Sequence, residues 1–114
     1  MIPGLKQWDV VKVRINSADK DEHPAVVISA DDFCAANPPK INVLYGTTRR
    51  PNMNVRAHHA VLNGADGLEH ATLVSCAHFY QITPAAITGR YGQVSTIRRR
   101  EIARKIVGSF RLAV

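Results

Sequence analysis

The residues of this sequence best suited to acid–base chemistry are its histidines. His23 stands before a proline at the start of an apolar run, and His78 lies two residues before Tyr80. A histidine side chain can take up and release a proton near neutral pH, because its unperturbed pKa is about 6.5. The adjacent His58 and His59 fit a variable strand or loop better than a site. Their positions in the sequence do not decide between two alternatives. His23 and His78 either take part in acid–base chemistry or are ordinary surface or packed side chains.

Hydroxyl and basic side chains follow one another at the end of a later apolar run. Thr47 and Thr48 are followed directly by Arg49 and Arg50. An arginine can bind a phosphate through two parallel N–H groups, so the basic pair is a candidate phosphate clamp. The alternatives are an ordinary strand end for the threonines and a solvated loop for the arginines. Tyr80 could either pack in the fold or stack on a nucleotide base.

The signatures of metal and nucleophile sites are missing from the sequence. Cys76 and His78 are two residues apart, and Cys34 and His70 could converge with them, but no pair has the close spacing of recognised zinc sites. There is no phosphate-binding glycine loop and no nucleophile elbow. We therefore expect no metal and no cofactor, and we expect both cysteines to be free thiols.

The composition indicates a small globular protein with a basic surface. Its 114 residues are 46% hydrophobic and 21% charged, and the net charge is +6. This length predicts one domain over residues 1–114. A basic domain suggests nucleic acid or an acidic protein as partner. The sequence has no run of about 18 apolar residues and no signal-peptide pattern at its start, so we expect a cytoplasmic protein that does not enter a membrane.

The elements that must position these residues are short strands followed by one helix. Alternating apolar residues predict a strand at 9–15, and short apolar runs at 25–29 and 41–45 predict two buried strands. Weaker patterns predict a strand at 55–62 and either one bent strand or two short ones between 71 and 83. Segment 84–94 is irregular. Polar and proline-rich stretches predict loops at 16–22, 31–40 and 46–54.

The end of the chain has a different period. Apolar residues at helical spacing predict a helix over Thr96–Phe110, with Ser95 or Thr96 as its N-cap. Its arginines fit the solvated face of a packing helix better than a phosphate-binding surface. Short strands followed by a helix predict a mainly β, α+β fold, a small antiparallel barrel or rolled sheet of five to seven strands with a C-terminal α-helix.

Four segments, taken in order, resemble the MazF/PemK family of toxin endoribonucleases. WDVVKVRI from Trp8 is similar to the family's G-D-[IV]-V strand, and HPAVVIS from His23 to its R-P-[AV]-[LV]-V-[LI]-S strand. NVLYGTT from Asn42 resembles the strand that ends in a threonine motif. LVSCAHFYQIT and ITGRYGQVS, between Leu73 and Ser95, resemble the stretch from V-R-x-D-Q-I-R-T to I-G-x-L-S before the last helix. Their order and spacing carry the resemblance more than any single motif.

The resemblance implies an SH3-like β-barrel that is usually a homodimer and cleaves single-stranded RNA without a metal. In that reaction the ribose 2′-hydroxyl attacks the adjacent phosphate, which leaves a cyclic phosphate and a free 5′-hydroxyl. It needs a base, an acid and donors to the crowded phosphorane. The resemblance also implies a cognate antitoxin protein, whose acidic, partly disordered segment would suit the basic surface.

The family's functional residues carry over only in part. His23 stands where the family has arginine, Ser75 and Ala77 stand at its R-x-D positions, and Thr47 matches its threonine. The resemblance therefore implies His23, Thr47 and His78 as catalytic candidates. The RNA-binding candidates are Thr48, Arg49, Arg50, Tyr80 and Gln81. Two alternatives stay open: a non-catalytic SH3-like module that binds nucleic acid or protein, and a toxin of DNA gyrase.

Overall fold

The computed structural model describes residues 3–14 and 22–111, which contain seven strands and two α-helices. No helix in these residues is long and apolar enough to cross a membrane. In chain order the elements are β1 (Asp9–Val13), β2 (His23–Val27), α1 (Asp31–Ala35), β3 (Ile41–Thr48), β4 (His59–Leu62), β5 (Thr72–Ser75), β6 (Tyr80–Ile82), β7 (Ile87–Gln93) and α2 (Thr96–Phe110), with short 3-10 turns at Gly64–Asp66 and Pro84–Ala86.

The strands form one antiparallel sheet in the order β4-β5-β3-β2-β1-β7, with β6 also paired to β3. Strand β3 is central because its first half pairs with β6 and its second half with β5. The β1–β7 ladder shifts register twice, which bends the sheet. The predicted mainly β, antiparallel fold with a C-terminal helix is confirmed, although the described ladder ends at β4 and β7 and does not close on itself.

Both faces of the sheet bury apolar side chains. Successive residues of a strand point to opposite faces, so Val10 and Val11 belong to different clusters, as do Val26 and Val27. The cluster under α2 contains Val10, Val26, Leu44, Ala60, Leu62, Val74 and Ile102. The cluster on the other face contains Val11, Val13, Ala25, Val27, Ile41, Val43 and Ile82. Burial on both faces explains why β2 is a continuous apolar run and not an alternating one.

Helix α2 has the predicted bounds, but its N-terminus is fixed by a residue far away in the sequence. Ser95 is the N-cap residue, yet its side chain makes no capping hydrogen bond. The buried carboxylate of Asp66 instead accepts from the backbone N–H of Ser95 at 2.8 Å and from that of Asn63 at 2.9 Å. The 3-10 turn that carries Asp66 therefore holds the helix against the sheet.

Several element bounds differ from the sequence prediction. Helix α1 lies in a predicted loop, where Asp31 and Asp32 supply negative charge to its first turn. Strand β3 continues to Thr48, although a loop was predicted from residue 46. Gly46 allows β3 to pack closely on Thr72 of β5, because an added Cβ at Gly46 would lie 2.6 Å from Thr72 Cγ2. The irregular segment 84–94 contains the seven-residue strand β7. The predicted strand end at Ile15 and loop at 16–21 lie outside the described residues.

Candidate functional site

A basic cleft opens where β2 begins and β3 ends. It has a volume of about 520 Å³, and its walls include Lys12, Glu22, His23, Thr47, Thr48, Arg50 and Tyr91. The Glu22 carboxylate accepts from the Thr88 hydroxyl and pairs with Arg14, so Lys12 and Arg50 give the cleft its basic character. The Lys12 ammonium lies 5.1 Å from the centre of the Tyr91 ring. Four of the predicted site residues therefore share one cleft with an additional cation. Lys12 and Tyr91 were missed because nothing in the sequence indicates that β1 and β7 pair beside the cleft.

An aromatic cavity adjoins the basic cleft. It measures about 190 Å³ and is lined by Tyr45, Thr47, Met53, His59, Leu73, Ser75, His78 and Tyr80. Tyr45 and Thr47 are two residues apart on β3 and so project from the same face. Thr47 lines both concavities, with His23 in the basic cleft and His78 in the aromatic cavity. The three predicted catalytic candidates thus lie around one surface.

Two predicted binding residues lie apart from this surface. The side chains of Arg49 and Gln81 line neither concavity. The backbone N–H of Arg49 donates to Ala71 O at 2.8 Å, which fixes only its main chain. Gln81 is adjacent to Tyr80 on β6 and therefore points to the opposite face. A role for either side chain in RNA binding remains a prediction.

The aromatic cavity contains a pair of packed tyrosine rings. The ring centres of Tyr45 and Tyr80 are 4.3 Å apart and the rings are tilted by 35°. His23 lies beyond Tyr45, with 6.3 Å between ring centres. The pairing of Val43 with Tyr80 in β3 and β6 brings the two tyrosines together. Tyr45 was missed in the sequence, although its spacing of two from Thr47 could have indicated a shared face.

His78 is held by a hydrogen bond within the turn between β5 and β6. The segment forms two short strands, one of the two arrangements that its pattern predicted, and His78 precedes β6, which begins at Tyr80. The Nδ1 atom of His78 lies 2.8 Å from Ser75 Oγ, and Ala77 N–H donates to the same oxygen at 3.4 Å. A hydroxyl can donate to a neutral imidazole and accept from a protonated one. Ser75 can therefore hold the ring in both states.

The other wall histidine is in a different chemical state. The backbone N–H of Arg56 donates to His59 Nδ1 at 3.0 Å, so the proton of the neutral ring resides on Nε2. Burial lowers the pKa of His59, and the nearby His58, Arg56, Lys105 and His78 lower it further. The neutral form of His59 is therefore favoured, which makes this ring a poor acceptor of protons.

The described cysteines and acidic residues are candidate ligands for a metal ion. Among residues 3–14 and 22–111, no group of three or more His, Cys, Asp or Glu side chains is arranged to hold an ion. Cys34 and Cys76 are both free, as predicted. Burial raises the pKa of the Cys76 thiol to about 11. Cys76 is therefore a packed neutral thiol and not a nucleophile.

The fold and the basic cleft together define a class of small α+β protein with an open site at the strand ends. The model of the family described as PemK-like, MazF-like toxin of type II toxin–antitoxin system matches residues 6–110. The chain therefore belongs to this toxin family. No curated protein sequence matches it.

Solved structures with the same fold have little sequence in common with this chain. The Mycobacterium tuberculosis toxin MazF-mt6 has a TM-score of 0.76 at 15% identity, over 93% of this chain and 99% of its own. An endoribonuclease in complex with its cognate antitoxin, from a Mycobacterial species, has a TM-score of 0.78 at 12% identity, over 96% and 98%. A MazE-MazF structure from Deinococcus radiodurans has a TM-score of 0.75 at 12% identity, over 96% and 99%.

Proposed function

We propose that this toxin is a metal-independent, sequence-specific endoribonuclease that cleaves single-stranded messenger RNA in the cytoplasm. The observation that carries the proposal is the position of Thr47, which lines the basic cleft with His23 and the aromatic cavity with His78. A phosphate bound at Thr47 would therefore have an imidazole on each side. Two such groups are what RNA cleavage by the neighbouring ribose requires.

The proposed reaction is an internal phosphoryl transfer. One histidine removes the proton of the ribose 2′-hydroxyl while the 2′-oxygen forms a bond to phosphorus. The bond between phosphorus and the 5′-oxygen breaks, and the other histidine gives its proton to that leaving oxygen. The products are a 2′,3′-cyclic phosphate and a free 5′-hydroxyl. Because no water or redox partner takes part in this step, side chains alone suffice.

The basic cleft supplies the charge that this reaction needs. The Arg50 guanidinium and the hydroxyl group of Thr47 are donors suited to phosphate oxygens. Lys12 adds a second cation. Together they can perform the electrostatic role of the arginines that the family motif has and this chain lacks at His23 and Ser75.

Assembly and regulation are part of the proposal. The net charge of +6 favours an acidic antitoxin segment, and the solved relatives include toxins in complex with antitoxins. We further propose a homodimer in which each subunit contributes its basic cleft to one RNA-binding surface.

The test is cleavage of single-stranded RNA in the presence of a chelator, with the product ends identified. His23→Ala should reduce the rate by about a hundredfold or more, because general acid–base catalysis typically contributes that much. His23→Gln, which keeps a polar group but cycles no proton, should be equally impaired. The control is His70→Ala, an exposed histidine that lines neither concavity, and its rate should equal that of the wild type.

Two results would contradict the assignment in different ways. Full activity in His23→Ala would show that the proton-transfer groups lie elsewhere. Failure of the wild type to cleave any RNA would favour the alternative of a non-catalytic binding module.

A further inference from the structure

The aromatic cavity has a chemistry distinct from that of the basic cleft. Its walls combine the rings of Tyr45 and Tyr80 and the apolar side chains of Met53 and Leu73 with a few polar groups. An apolar slot with a small number of polar groups is typical of a site for a flat organic ring. The volume of about 190 Å³ is small for a whole ligand and suits one ring system.

The exposure of Tyr80 is the second observation. Its side chain is 47% exposed, although it packs on the partly buried Tyr45 at a ring-centre distance of 4.3 Å. A large aromatic side chain left open to solvent at the mouth of a cavity contributes little to the core. Such a ring is available for stacking, which every nucleobase can accept because each has a π-face.

The third observation is that the aromatic cavity adjoins the basic cleft. Thr47 lines both concavities, so a group bound in one lies next to a group bound in the other. The base and the phosphate of one nucleotide are neighbouring groups of this kind. Met53, on the loop that follows Arg50, closes the cavity on the side of the cleft residues.

We propose that the aromatic cavity binds one unpaired nucleobase of single-stranded RNA by stacking on Tyr80, with Tyr45 as the rigid support of that ring. The inference rests on the proposed RNA-cleaving function and assigns its base-binding subsite. Tyr45 fixes the plane of Tyr80, and the base enters beside a phosphate held at Thr47 and Arg50.

Binding is measured separately from cleavage with an RNA that cannot react. A ten-nucleotide 2′-O-methyl RNA pool of random sequence lacks the attacking hydroxyl, and an abasic phosphodiester of equal length lacks the bases. Fluorescence anisotropy gives the affinity of the full chain for each probe. The matched variants are Tyr80→Leu, which removes the ring but keeps an apolar side chain, and Tyr80→Phe, which keeps the ring.

Tyr80→Leu should bind the RNA pool about five- to a hundredfold more weakly than the wild type, and Tyr80→Phe within about twofold of it. Neither change should affect the abasic probe, whereas Arg50→Ala should weaken both probes. The control is Phe33→Leu on α1, because Phe33 is 49% exposed and lines neither concavity, so its affinity should not change.

The outcomes separate this inference from the proposed activity. Equal binding of the RNA pool by Tyr80→Leu and Tyr80→Phe would overturn the subsite even if the wild type cleaves RNA. A loss on the abasic probe equal to that on the RNA pool would overturn it too. Ring-dependent binding by a protein that cleaves no RNA would support the subsite and reject the endoribonuclease activity.

Discussion

A hydroxyl beside an imidazole restrains the ring without fixing its charge. Ser75 has this relation to His78, at 2.8 Å from Nδ1, and it stands where the family motif has an arginine. The sequence alone shows only that a serine replaces the arginine of the family motif at position 75. In the structure its hydroxyl holds the His78 ring through Nδ1. We therefore regard Ser75 as a positioning residue, because it acts through His78 and its contact is with that ring.

The role of Ser75 is tested by a pair of variants. Ser75→Ala should lower kcat by about tenfold with little change in KM, because the ring loses its orientation while RNA binding remains. Ser75→Thr, which keeps the hydroxyl, should retain most of the activity. Equal losses in both variants would indicate a packing defect at β5 instead.

At the residue scale the sequence supplied candidate residue types but not their arrangement. His23, Thr47 and His78 carry suitable chemistry whatever the fold, so their types could be selected in advance. Lys12 could not be selected, because the pairing of strands distant in sequence brings it to the site, whereas the spacing of Tyr45 from Thr47 on one strand was an available signal. The activity of the His23 and Ser75 variants tests whether these residues act as proposed.

Among the elements, the start of α2 depends on a contact that spans 29 residues. The Asp66 carboxylate accepts from the N–H groups of Ser95 and Asn63, while the Ser95 hydroxyl makes no capping bond. Gly67 and Gly92 permit this contact: an added Cβ at Gly67 would lie 2.5 Å from Tyr91 O, and one at Gly92 would lie 3.1 Å from Asp66 O. Gly67 after the 3-10 turn and Gly92 in β7 thus serve close packing.

Two substitutions distinguish these alternative caps. Asp66→Ala should lower the free energy of unfolding by about 2 to 4 kcal/mol, because two buried N–H groups lose their acceptor. Ser95→Ala should cost less than about 0.5 kcal/mol, although Ser95 has the better capping position in the sequence. Urea unfolding followed by circular dichroism measures both. The reverse ranking would show that the serine hydroxyl caps the helix in solution.

The predictability of each element follows from the range of the forces that form it. Helix α2 has a local period, so its bounds were predicted. Strand β7 depends on pairing with β1 and on contact with the Asp66 turn, and its two glycines resemble a loop when only neighbouring residues are considered. Helix α1 has only five residues, too few to show a helical period.

For the molecule as a whole, the net charge of +6 was evident from composition but its distribution was not. The fold brings Lys12 and Arg50 to one cleft and leaves Arg49 beside it. Arg49 and Arg50 look equivalent in the sequence, but only Arg50 lines the basic cleft. RNA-binding measurements at several salt concentrations can separate the contributions of the two arginines.

Arg50→Ala should weaken RNA binding and reduce the slope of log affinity against log salt by about one unit, because one phosphate contact is lost. Arg49→Ala should change the affinity less and leave the slope nearly unaltered. The Arg49→Ala, Arg50→Ala double variant should then resemble Arg50→Ala alone. Identical slopes in all four proteins would mean that the basic cleft holds no phosphate.

The central position of β3 has a consequence for how the protein loses activity. Thr47 pairs with Leu73 in β5, and the same strand pairs with β2 and β6 further back. Local opening involves the least protected segments first, and a strand hydrogen-bonded to three others opens only with the whole domain. In native-state hydrogen exchange, the Val43 and Leu44 amides should accordingly exchange only through global unfolding. Heat should therefore leave the Thr47 surface intact up to the melting transition, without an earlier stage in which the protein is folded but inactive.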